Sequence, residues 1–238
     1  MSATKILDEM SSLLDFATDG FKYNLQVLPD VIKASALLFA ILFQSPPMAV
    51  FSVATMMMGL MHTGVAKGFA SVFPNMMSTP GNMSRCAGTF PGVSYGRFFG
   101  SSSSSDPSLG RLSDTTWPSY YTTFMGFLAG WIGALPTIYA QELAISPKKS
   151  VAATGGLVTL GILLLVVMVY RISSSCDTFI STSVGLITGF VIGLVMVFTV
   201  AYLSDRRATN MLALPLIRNK AEDGKPIYVC ERPKASKT

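Results

Sequence analysis

Apolar positions along this chain fall into one short periodic stretch followed by long uninterrupted blocks, and the two patterns predict different elements. Residues 4 to 17 place Ile6, Leu7, Met10, Leu13, Leu14 and Ala17 at helical spacing, which predicts an amphipathic helix with Ser2 or Thr4 as its N-cap and Gly20 as its stop. Its polar face carries Asp8, Glu9 and Asp15, so anionic headgroups repel it. It rests in a protein groove, either a partner's or one in the chain's own membrane region. Residues 1–30 form this amphipathic N-terminal segment.

The 33 residues between Lys33 and Lys67 contain no Asp, Glu, Lys or Arg, yet Pro46-Pro47 interrupts them. A straight helix over that stretch would be roughly 50 Å long at 1.5 Å per residue, against a hydrocarbon core of roughly 30 Å. Residues 31–67 are therefore a first membrane segment broken at Pro46-Pro47. Either 48–66 cross after an interfacial helix, or one kinked helix crosses obliquely from about residue 34; a hairpin of two half-spans is the least favoured arrangement.

Residues 68–119 are rich in Gly, Ser, Pro and aromatics and include the tract Ser101 to Ser105. A loop of this length is functional or disordered as a rule. A three-helix membrane region, 120–203, follows, with spans at 120–141, 151–170 and 178–203. Trp117, Tyr120 and Tyr121 open the first of these as interfacial aromatics. The last two are separated by the short turn from Arg171 to Asp177 and form an antiparallel hairpin. Residues 204–238 form a basic tail in which Lys225 to Cys230 is a candidate edge-pairing segment. The expected fold class is thus an all-α integral membrane protein with about four transmembrane helices, an N-terminal amphipathic helix and a long extramembrane loop.

Composition strengthens this picture: 13% of the residues are charged, about half the share in a soluble domain. The net charge of +5 comes from basic residues flanking apolar blocks, not from a stripe interleaved with aromatics, so no nucleic-acid partner is expected. With four spans, the N-terminus, the 142–150 loop and the tail share a side holding thirteen Lys and Arg, against five on the other. That bias places both termini in the cytosol, with Lys148, Lys149, Arg206 and Arg207 as the membrane-flanking basic residues. Cys86 and Cys176 then meet on the exterior or lumenal side, where oxidation is favoured. They are a candidate disulfide pinning the loop to the hairpin, with two free thiols as the alternative. Asn82-Met83-Ser84, on the same side, fits a glycosylation acceptor.

Small residues mark packing faces. Ser181, Gly185, Gly189 and Gly193 recur every four positions in the last span, and Gly126, Gly130 and Ala134 repeat the device earlier; such stripes let helix backbones approach closely. Ala152 and Gly156 extend it to the span between them. No ionisable group lies at the centre of 120–203, which disfavours ion-coupled transport, and Lys33 and Lys67 are expected to snorkel. His62 among Met56 to Met58 and Met61 is a Cu(I)-type combination, but methionines at this density read as flexible apolar filling. No nucleophile with a positioned base is evident. The chain is expected to be no enzyme and to need no cofactor or metal.

The loop sequence from Cys86 through Phe90-Pro91-Gly92-Val93-Ser94-Tyr95-Gly96-Arg97-Phe98, with Trp117-Pro118-Ser119-Tyr120-Tyr121 opening a span, resembles multi-span virion membrane proteins of nucleocytoplasmic large DNA viruses. That resemblance covers about a third of the chain and carries no catalytic signature. It implies a structural role in an internal membrane beneath an icosahedral shell, as a minor capsid component tying shell to bilayer. Partners would be lipid and other membrane or capsid proteins, met through the N-terminal helix, the 68–119 loop and the tail. The alternative is a small channel or carrier built on the broken first segment around Gln44 and Pro46.

Overall fold

A computed structural model describes residues 3–73, 117–204, 206–212 and 214. Cys86, Asn82, the aromatic stretch to Phe98, the serine tract, Lys225 to Cys230 and the side chains of residues 3–17 lie outside what it describes. Every regular element among the described residues is a helix: α1 (Ala3–Leu42), α2 (Pro46–Val72), α3 (Tyr120–Ile138), α4 (Ala140–Ile145), α5 (Pro147–Ser173) and α6 (Phe179–Leu203), followed by a 3-10 turn at Arg206–Thr209. Three are long and apolar enough to cross a membrane: Pro46–Phe69 of α2, α5 and α6. The described residues are all-α, and the three apolar helices point to membrane association.

The first helix corrects one expectation. It does not stop at Gly20; glycine weakens a helix interior by only about 1 kcal/mol, no proline follows at once, and the Asn24 side-chain amide donates to the Gly20 carbonyl at 2.9 Å. The bend comes later, where Thr18–Leu25 and Val27–Leu42 diverge by 63°. Pro29 sits just beyond the bend, inside α1. Proline has no N–H to give the carbonyl four residues back, and its ring crowds that carbonyl. The orphan is Leu25 C=O, and the Tyr121 hydroxyl on α3 donates to it.

Pro46-Pro47 breaks the apolar run as expected, but the break is a turn between two helices. Proline is favoured at the first helical position, and Pro46 and Pro47 open α2. Gln44 ahead of them has φ 46°, the left-handed conformation that ends a helix. α1 and α2 are therefore antiparallel neighbours.

α3 is the central helix, buried around most of its circumference. Its register against α2 is antiparallel: His62 Nε2 lies 2.9 Å from Pro118 O, while Phe51, eleven residues earlier, packs on Trp131 with ring centroids 5.7 Å apart. The predicted span 120–141 breaks at Tyr139, into the short α4. Pro136 in the last turn removes one helical hydrogen bond and brings that end closer. α5 extends well beyond 151–170 at both ends. Only Val167 and Arg171 are buried on it.

Candidate functional site: two polar caps on a glycine-seated pair

The α3–α6 contact is built from the absence of side chains. On α6 the buried residues Ser181, Gly185, Gly189, Gly193, Val197 and Ala201 recur every four positions, forming one inclined ridge. A Cβ on Gly189 would stand 1.9 Å from Thr123 O, and one on Gly193 2.3 Å from Phe127 O. Across the interface, Cβ atoms on Gly126 and Gly130 would each stand 2.2 Å from a carbonyl, of Leu186 and Phe190 respectively. Gly185 faces the Thr122 side chain, and Ala134 is buried. The two backbones are in direct contact along the helices. Gly155, Gly156 and Gly161 of α5 meet nothing within 4 Å and Ala152 is exposed, so these small residues join no face.

Polar groups gather at the two ends of this pair. At the end where residues 73 and 117 meet, the loop end, Phe69 and Phe73 pack on Trp117 with centroids 5.1 and 6.1 Å apart. The Arg171 guanidinium is buried, with Nε 2.7 Å from Asp177 Oδ2, and lies 4.8 Å from the Tyr121 ring centroid. Local geometry explains the pair. Ser175 has φ 54°, which turns the chain so that the Cys176 and Asp177 amides both donate to Arg171 O, at 3.0 and 3.3 Å. The Asp177 side chain then returns beside the arginine.

Ser119 ties this turn to α3. Its N–H donates to Ser181 Oγ at 3.3 Å, and its carbonyl accepts from the Thr122 and Thr123 hydroxyls at 3.1 and 2.7 Å. Cys176, in the same turn, is disulfide-bonded; Cys86, its expected partner, lies outside the described residues. Lys33 corrects the snorkelling expectation. Its ammonium is 3.1 Å from Asp30 Oδ1 and only 3% exposed, and it lies 4.9 and 5.1 Å from the Tyr120 and Phe124 ring centroids. Lys33 points inward at the loop end, because a helical side chain leans toward the helix N-terminus. His62, stacked edge-on against Tyr120, joins the same cap.

At the opposite, tail end, the 3-10 turn folds back under the bundle. Arg206 Nη2 donates to Ile138 O, an orphan carbonyl of the last turn of α3, where a cation also complements the helix dipole. Arg206 Nη1 is 3.5 Å from Glu142 Oε1. Glu142 is fully buried, and neither of its carboxylate oxygens has a hydrogen-bond partner. The Tyr139 hydroxyl donates to Arg206 O and lies 2.8 Å from Thr209 Oγ1. Lys149 Nζ donates to Leu212 O at 3.4 Å. Lys148 and Arg207 are exposed beside them. The four basic residues expected to flank the membrane thus gather at one end, and Arg206 is a clasp as well as a flank.

The pairings within the caps are not legible in the sequence. Arg171 and Asp177 stood out only as span boundaries, Tyr121 only as an interfacial aromatic, and Pro29 not at all. The available signals were a charge pair across a six-residue turn and a proline within a helical pattern.

Chemically, both caps are fastening devices. Among the described residues no group of three or more His, Cys, Asp or Glu is placed to hold a metal ion, and His62 Nε2 is engaged by a carbonyl. Comparison with protein-family models, with curated proteins and with solved structures yields no match.

Proposed function

We propose that this chain is a structural membrane protein that anchors or organises a protein assembly at a bilayer. The observation that carries the reading is the backbone-seated α3–α6 pair, fastened at both ends by polar caps. An interior closed in this way holds its two ends at a fixed separation. On this reading α3 crosses the bilayer alongside α2, α5 and α6, shielded by them, and its Tyr and Thr residues are tolerated because they face protein. The loop end and the tail end then present attachment surfaces on opposite sides, with the basic tail end in the cytosol. Following the loop resemblance, the assembly is a viral particle, and the chain links its shell to its internal membrane.

The carrier alternative relied on the broken first segment lining a cavity. Gln44 and Pro46 are exposed at the turn between α1 and α2, so that support is absent. Purified particles should contain the chain in a fixed ratio to shell proteins, with crosslinks from the 68–119 loop or the tail to those proteins. Absence from particles ends the viral reading. Solute flux in proteoliposomes that is lost on Gln44→Ala would replace anchoring with transport.

A further inference from the structure

We infer that α1 is itself a membrane crossing, entered from the loop side, so that the N-terminus lies on the face of the long loop and opposite the basic tail. The bias of basic residues places both termini together, and the register of α1 is what changes this. Its lower end is joined to α2 by Phe43, Gln44 and Ser45 alone, so the ends of the two helices share one depth. α2 then climbs from Phe51 beside Trp131 to His62 beside Tyr120. α1 reaches that same upper level in the opposite direction, with Leu25 O on the Tyr121 hydroxyl and the Lys33 ammonium between Tyr120 and Phe124. Residues 27–42 therefore traverse the depth that α2 traverses.

The surface of that stretch suits lipid. Leu37, Leu38, Phe39, Ile41, Leu42 and Phe43 are exposed, while Lys33 and Ala36 face the bundle. No charged residue follows Lys33 before the turn, and the Lys33 charge is directed back toward the loop end. Length agrees as well. Val27–Leu42 rises about 24 Å at 1.5 Å per residue, most of a hydrocarbon core of roughly 30 Å, and Thr18–Leu25, inclined at 63°, adds about 5 Å within the headgroup layer.

The inclined segment is the entrance. It exposes Phe21 and Tyr23 beside the solvent-facing pair Lys22 and Asp19, 3.3 Å apart, the mixture of ring and charge that settles at headgroup level. Its partner there is the lipid headgroup layer of the loop-side leaflet. The charge rule survives the move. With Lys5 and Lys22 transferred and Lys33 inside the bundle, the tail side keeps ten basic residues against seven, and Lys148, Lys149, Arg206 and Arg207 remain closest to the span ends on that side.

The test uses the full chain with three epitope tags, one at each terminus and one within residues 101–105, read by antibody before and after selective opening of the enclosing membrane. The expected result is that the N-terminal and loop tags share one side and the C-terminal tag occupies the other. An N-terminal tag sharing the side of the C-terminal tag overturns the inference, as does a loop tag on the C-terminal side. In either case the anchoring role is judged separately, by recovery in particles.

Discussion

α3 and α6 touch backbone to backbone along the bundle, whereas α5, directly connected to α6 and through α4 to α3, buries only Val167 and Arg171. The contrast lies in where glycine falls. Gly126, Gly130, Gly185, Gly189 and Gly193 each occupy a position that a Cβ would fill; Gly155, Gly156 and Gly161 face open space. Glycine spacing alone therefore does not distinguish a packing face from a lipid-facing one. What marks the packing face is register with a second stripe on a helix that is otherwise buried.

The strongest way to break this comparison is Gly189→Leu. Its Cβ would meet the Thr123 carbonyl, which cannot move without moving α3, so the cost should exceed the roughly 1–3 kcal/mol typical of overpacking. The expected outcome is loss of folded protein in detergent, and a wild-type melting temperature would refute the packing role. Arg171→Ala should come next. It leaves the Asp177 carboxylate buried without its cation, a change worth about 3–5 kcal/mol for an interior pair. Thermal melts of Arg171→Ala, Asp177→Ala and the double variant should show the double variant costing less than the two singles combined; strict additivity would deny the coupling.

A smaller effect is expected at α1. Tyr121→Phe removes the donor to the Leu25 carbonyl and should cost about 1–2 kcal/mol. Pro29→Ala in the same chain should restore part of that stability by returning a backbone donor, and no rescue would show that the bend has another origin. The smallest loss belongs to Gly156→Leu, which should be neutral or gain up to about 1 kcal/mol in the same melts, since its Cβ meets nothing and glycine weakens a helix interior. A large loss there would mean that α5 has a partner helix.

These variants also mark how far the sequence was legible. The stripes from Gly126 to Ala134 and from Ser181 to Gly193 were readable because a four-residue repeat is a local property. So was the break at Pro46-Pro47, since proline acts on its own backbone. What it joins was not readable, because a turn and a kink share the same residues. Gly20 misled as a stop: its neighbours continue the helical pattern, and propensity is a weak prior against tertiary support. Lys33 misled too, since snorkelling and inward pairing begin from the same flexible stem. Only the positions of Asp30, Tyr120 and Phe124 separate them. The unused small residues of α5 show the converse, a local pattern with no tertiary counterpart.

The link between Pro29 and Tyr121 bears on how the chain is made. On the inferred topology α1 is made well before α3 exists, and until then the carbonyl of Leu25 lacks both the helical donor that Pro29 cannot supply and the Tyr121 hydroxyl. A bare carbonyl is poorly tolerated in hydrocarbon, so this end of α1 should keep to the headgroup layer, where water satisfies it. Arrival of the tyrosine hydroxyl completes it. The first helix of the chain thus reaches its full set of contacts only once α3 is in place.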